Sequence, residues 1–177
     1  VGGWANGEGA SAMAVEALQL WWQRLEWAAL PQLDVLMQGL MACVEKVNTT
    51  IRRQADKKGI QSGTTLSVWL AAGGAYRIVH VGDSRIYRIG EGMGGQIQQL
   101  TQDHSVLMPK VIGGNTIMKP YLTDCLGFKQ DFAVQQTEGR CRSGELYLIC
   151  TDGVYRPIPA DDMRKIVRRR KNKPAQA

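Results

Sequence analysis

Tyr76-Arg77-Ile78-Val79-His80-Val81-Gly82-Asp83-Ser84-Arg85 and Glu145-Leu146-Tyr147-Leu148-Ile149-Cys150-Thr151-Asp152-Gly153 are the two stretches on which the fold turns. Each is a short apolar run, rich in β-branched and aromatic residues, that stops at an adjacent glycine and aspartate. Such runs read as buried strands. Each strand therefore delivers a carboxylate to the tip of a sheet. Two carboxylates brought together in space form the oxygen-donor set that a hard divalent cation takes.

Outward from these runs, the period of the sequence separates helices from strands. Residues 64–71 read as one strand, with a turn at Gly73-Gly74. Residues 75–81 and 85–89 read as two more, joined through Gly82-Asp83-Ser84 as a tight hairpin. Residues 97–100 extend the same sheet. Toward the N-terminus, Ala10, Ala14, Ala17, Leu18, Trp21 and Leu25 form an apolar stripe at helical spacing. Pro31 suits the first turn of a second helix, whose stripe runs through Leu33, Leu36, Met37, Leu40, Val44 and Val47, with Gly59 as its stop. Residues 101–144 carry little period: Thr101 and Asp103 suit a helix cap, Gly113-Gly114-Asn115 and Pro120 punctuate, and residues 132–136 read as a short strand. Pro159-Ala160-Asp161-Asp162 opens a last helix, with acids at the positive end of its dipole. Helices, then antiparallel strands, then a helix predict an α+β fold rather than a parallel doubly wound sheet.

A chain of 177 residues fits one domain with a sizeable core. Its net charge of +6 is a C-terminal feature. Arg164, Lys165, Arg168, Arg169, Arg170, Lys171 and Lys173 supply seven of the 22 basic residues, leaving 15 against 16 acids elsewhere. Such a tail could meet nucleic acid or an acidic membrane, but a solvated helix face or a frayed end is the plainer reading. The four cysteines, Cys43, Cys125, Cys141 and Cys150, show no Cys-x-x-Cys spacing, which suits a reducing cytoplasm. No apolar stretch approaches the ~20 residues that span a bilayer.

Taken singly, each motif has a plain explanation. Gly82-Asp83-Ser84 is good turn chemistry, and Gly63-Thr64-Thr65 could simply open a strand. Cys150 to Arg156 has the Cys-x-x-Gly-x-x-Arg spacing of a thiol phosphatase loop, but Asp152 within it would repel a phosphate. The order of the motifs is more specific. Val1-Gly2-Gly3 with Gly7-Glu8, Ser62-Gly63-Thr64-Thr65, Val81-Gly82-Asp83-Ser84-Arg85, Leu100-Thr101-Gln102-Asp103-His104-Ser105, Leu126-Gly127 and Gly144 through Gly153 follow one another along the chain. As a set they resemble the metal-dependent serine/threonine protein phosphatases of the PP2C type (the PPM family), bacterial members in particular.

That resemblance implies an α-β-β-α sandwich, two packed antiparallel sheets flanked by helices, with Mn²⁺ or Mg²⁺ at one end. It implies hydrolysis of phosphoserine and phosphothreonine in proteins, a reaction very slow unaided. It assigns Asp152 to a core cation and Asp83 to an auxiliary one, while Arg156 stands where some members carry a further acid. It gives His104 no metal or proton-transfer role. Phosphoprotein substrates and a cognate serine/threonine kinase are the implied partners, with no membrane and no nucleic acid, and a cytoplasmic monomer is expected. The family's Asp-Gly-x-Gly-Gly motif would begin just before Val1, and its closing Asp-Asn strand would follow Ala177. The expectation is thus a domain over 1–168, incomplete at both termini and lacking several of the family's metal ligands, so that Asp152 is the one core ligand present, with a frayed basic tail over 169–177. The alternative is an inactive phosphatase-fold module that binds a phosphoprotein or another partner.

Overall fold

The computed structural model describes residues 6–25, 32–92 and 95–170. Val1-Gly2-Gly3, Pro31 and the tail beyond position 170 lie outside the described residues. Two antiparallel three-stranded sheets form the centre. The first has the order β1-β2-β7, from β1 (Leu66–Ala72), β2 (Ala75–Val81) and β7 (Gln135–Arg140). The second has the order β4-β3-β8, from β4 (Ile97–Gln99), β3 (Arg85–Ile89) and β8 (Leu146–Cys150). A separate hairpin joins β5 (Ser105–Ile112) to β6 (Asn115–Leu122).

The central strand β2 shows how alternation builds the layers. Tyr76 and Ile78 point into a cluster shared with Ile86 of β3, Trp69 of β1 and Tyr147 of β8, so this face is the seam between the sheets. Trp69 and Tyr147 lie with ring centroids 4.8 Å apart across it. Val79 and Val81 point the other way, into the largest core cluster. There they meet α1 (Gly7–Gln23) and α2 (Leu33–Lys58) through Ala10, Ala14, Leu40, Val44 and Ile51. Full burial of a side chain such as Ile78 is worth about 1.5–3 kcal/mol. On the far side of the second sheet, Met163 of α4 (Ala160–Arg170) packs against Tyr87 and Cys150. The result is the expected α-β-β-α order.

The stripes read from the sequence locate both long helices, and Gly59 ends α2 in the left-handed conformation at φ 62°. β2, β3 and β8 have the predicted bounds, and α4 begins as expected. Other expectations are corrected. Residues 82–84 are not a hairpin: β2 pairs with β1 and β7 while β3 pairs with β4 and β8, so the segment crosses between sheets. β4 accordingly extends the sheet of β3, not that of β2. No helix follows Thr101 and Asp103; β5 starts at Ser105. β7 runs from Gln135 to Arg140, starting three residues after the predicted start at 132. β8 is an edge strand, half-exposed at Ile149 (50%), rather than fully buried.

Candidate metal centre

The register of β3 against β8 brings the two carboxylates together. Arg85 lies opposite Cys150, and each antiparallel step outward advances one residue on each strand. Two steps past the ladder, Asp83 faces Asp152. Asp83 sits on the crossover after β2, its side chain 17% exposed. Asp152 opens the short helix α3 (Asp152–Tyr155), its side chain 47% exposed. Arg156, one residue beyond α3, reaches both: its Nη2 lies 3.5 Å from Asp83 Oδ2 and 3.1 Å from Asp152 Oδ2. Burial, and then the neighbouring charge of Asp152, raise the Asp83 carboxyl above its ordinary range, with Arg156 opposing them.

The frame around the pair is hydrogen-bonded on every side. Tyr155 Oη donates to the Asp83 carbonyl at 2.9 Å. The Arg85 guanidinium lies 3.7 Å over the Tyr155 ring and grips Asp103 with two nitrogens, at 2.9 and 2.7 Å. Gln99 Nε2 donates to the same Asp103 at 3.0 Å. Arg85 therefore braces Tyr155 and Asp103. Ser84 and Thr65 hydroxyls meet at 2.8 Å, linking the crossover to the start of β1. Gly82 carries φ 109°, and a Cβ there would come within 2.7 Å of Thr65 Cβ, so the crossover needs glycine.

Two histidines hold the same crossover. The Gly82 N–H donates to His104 Nδ1 at 3.2 Å, and the His104 N–H donates to the Gly82 carbonyl at 2.8 Å. His104 thus works as a bracket. Cys150 is buried, and burial raises its thiol above the ordinary range. With Arg156 directed at carboxylates, the thiol phosphatase loop has neither its thiolate nor its arginine. The sequence reading missed Tyr155 and Asp103 as parts of this centre, and it set Arg156 at the auxiliary position without seeing that its guanidinium bridges both carboxylates. Asp152 and Arg156 at i,i+4 were the available signal, but only once a helix is assigned there.

The donor set suits a hard cation. Oxygens from separate elements converge, and a guanidinium between them shows that the place accepts positive charge. Among the described residues no group of three or more His, Cys, Asp or Glu side chains is disposed to hold a metal. Asp83 and Asp152 would therefore serve beside water, carbonyl or substrate oxygens.

A sandwich of two antiparallel sheets flanked by helices is the fold of the PP2C-type phosphatases. No family model matches the chain. Serine/threonine phosphatase Stp of Listeria monocytogenes is 28% identical over 180 residues, covering 95% of this chain and 69% of that protein. Serine/threonine protein phosphatase PstP of Mycobacterium tuberculosis is 30% identical over 175 residues, 89% of this chain and 31% of that protein. The crystal structure of a PstP catalytic domain with two manganese ions superposes with a TM-score of 0.69 at 26% identity, covering 91% of this chain and 67% of that one. The chain is a relative of the bacterial PP2C-type serine/threonine phosphatases.

Proposed function

We propose that the protein hydrolyses phosphoserine and phosphothreonine in proteins, using Mn²⁺ or Mg²⁺, with Asp152 on a core cation and Asp83 on an auxiliary position beside it. The observation that carries this reading is the convergence of Asp83 and Asp152 on one cationic group at the end of the β3–β8 ladder. The two manganese ions of the PstP domain support the choice of metal. When bound, such a cation would activate water and screen the charge of the transferring phosphoryl group. The chain's own residues supply position. Tyr155 holds the Asp83 backbone, Arg85 and Asp103 hold Tyr155, and the Gly82–His104 bonds fix where the crossover leaves β2.

A cytoplasmic setting is supported by the four cysteines, all free thiols, Cys125 and Cys150 buried. No helix among the described residues is long and apolar enough to cross a membrane. A serine/threonine kinase would supply the phosphoproteins. The basic charge of α4 is engaged internally in part: Arg168 donates to the carbonyls of Gly144 and Ile89, and Lys165 pairs with Asp162. That supports a bracing role over nucleic-acid binding.

The test is hydrolysis of p-nitrophenyl phosphate and of a phosphothreonine peptide with Mn²⁺. Turnover that disappears in EDTA and falls at least about 100-fold in Asp152→Asn is expected, from the size of electrostatic terms in catalysis. Mn²⁺-independent turnover would refute it. Absence of turnover together with phosphopeptide binding would favour the alternative, a binding module, for which the guanidinium already seated between the carboxylates speaks.

A further inference from the structure

We propose that Arg156 is a built-in cation that fills the auxiliary position between Asp83 and Asp152, so that this pair is closed to a divalent ion while the arginine is in place. The inference rests on the phosphatase reading for the meaning of the position, and on the ion-pair geometry for its occupant. One nitrogen, Nη2, touches an oxygen of each carboxylate. A metal bridging those same two oxygens would sit within a few ångströms of that nitrogen, since metal–oxygen distances are about 2.0–2.6 Å. Two positive centres that close repel strongly, so guanidinium and divalent ion exclude each other there.

The anchoring of Arg156 makes this occupancy a designed one. It leaves the chain directly after α3, at i,i+4 from Asp152, where helical geometry stacks the two side chains on one face. The backbone N–H of Arg156 donates to the Asp152 carbonyl at 3.1 Å, tying the base of one side chain to the other. Tyr155, the residue before it, is clamped beneath Arg85 and bonded to the Asp83 backbone. The arginine therefore springs from the most heavily braced turn of the site. Its consequence is a fixed positive charge beside the core position, present without metal. It holds Asp83 near Asp152 despite their mutual repulsion, and it removes one metal-loading step from the assembly of the centre.

The experiment titrates Mn²⁺ alone into the protein and counts free aqueous Mn²⁺ by electron paramagnetic resonance. Wild type is compared with Arg156→Gln, Arg156→Ala and the double variant Asp83→Asn/Arg156→Gln, each checked for folding by circular dichroism. Arg156 is exposed enough (48% of its side chain) that either single variant should fold. Removing the guanidinium should create one additional Mn²⁺ site, or tighten binding at least about tenfold, and the double variant should lose that gain. A Gln or Ala variant whose isotherm superimposes on wild type, or a gain that survives Asp83→Asn, overturns the proposal. The phosphatase reading fails separately, through absence of Mn²⁺-dependent hydrolysis by wild type, which leaves the comparison of isotherms intact.

Discussion

His80 is fully buried on β2, with both ring nitrogens engaged. Its Nε2–H donates to the Gly82 carbonyl at 2.9 Å, which leaves Nδ1 to accept the Ser67 hydroxyl, also at 2.9 Å. This fixes a neutral tautomer. Burial, and then His104 with its ring centroid 5.2 Å away, lower the His80 pKa to about 4. The unfolded chain, with the ordinary value of 6.5, binds the proton first. Stability contributed by the neutral ring is thus complete above pH 6.5 and lost as pH falls toward 4, by at most about 1.4 kcal/mol per pH unit per histidine. His104, also lowered chiefly by burial, contributes in the same direction below its ordinary value. Denaturant melts between pH 7 and 4 should show this fall. In His80→Gln the slope should shrink by the share of one proton, while stability at pH 7 also drops through the imperfect replacement of two hydrogen bonds. A slope unchanged in the variant would show that His80 does not drive it.

The β5–β6 hairpin is the element that least resembles its surroundings. It pairs with itself from Ser105↔Leu122 to Ile112↔Asn115, and it leaves Leu107 (65%) and Val111 (69%) exposed. It joins the rest at its base, where the Thr123 N–H donates to the His104 carbonyl. Replacing residues 107–120 by Asn-Gly would close Val106 to Tyr121, already cross-strand partners, with a two-residue turn. The melting temperature should change by no more than about 4 °C, equivalent to roughly 1 kcal/mol, while binding of an apolar dye decreases. Loss of cooperative unfolding would show that the hairpin carries part of the core. The same hairpin shows what the sequence withholds. Gly113-Gly114 marks its turn, but Pro109 and Pro120 lie within its strands and apolar residues occupy both faces, so no period marks the strands themselves. The strand β2 was legible because burial on both faces demands a mostly apolar run, whereas β8 carries such a run at a half-exposed sheet edge. The crossover was not, since Gly82-Asp83-Ser84 satisfies a hairpin turn and a change of sheet equally well. Only the pairing of Arg85 with Cys150 decides between them. The carboxylates could be read as a pair from their motifs, whereas Arg156 could be placed only once the four residues of α3 were seen to be helical.

At the scale of the whole molecule, the acidic pair depends on both sheets at once. Asp83 is placed by the step from the first sheet to the second, and Asp152 by the edge strand of the second alone. The seam of Ile78, Ile86, Trp69 and Tyr147 holds the sheets together, so the site exists only when the sandwich is assembled. A core cation held through Asp152, beside the position that Arg156 fills, binds the folded chain and not the unfolded one. Linkage then requires that it stabilise the fold, by about 2.7 kcal/mol at a hundredfold excess over its dissociation constant. For a domain of this size that corresponds to a rise in melting temperature of roughly 5–11 °C. Scanning calorimetry with Mn²⁺ against EDTA should show the rise in wild type and its disappearance in Asp152→Asn. Asp152 is half-exposed at the end of its strand, so the variant should still fold in EDTA with a melting temperature near that of wild type under the same conditions. A full Mn²⁺-dependent rise in that variant would place the cation elsewhere on the molecule and detach the acidic pair from metal binding.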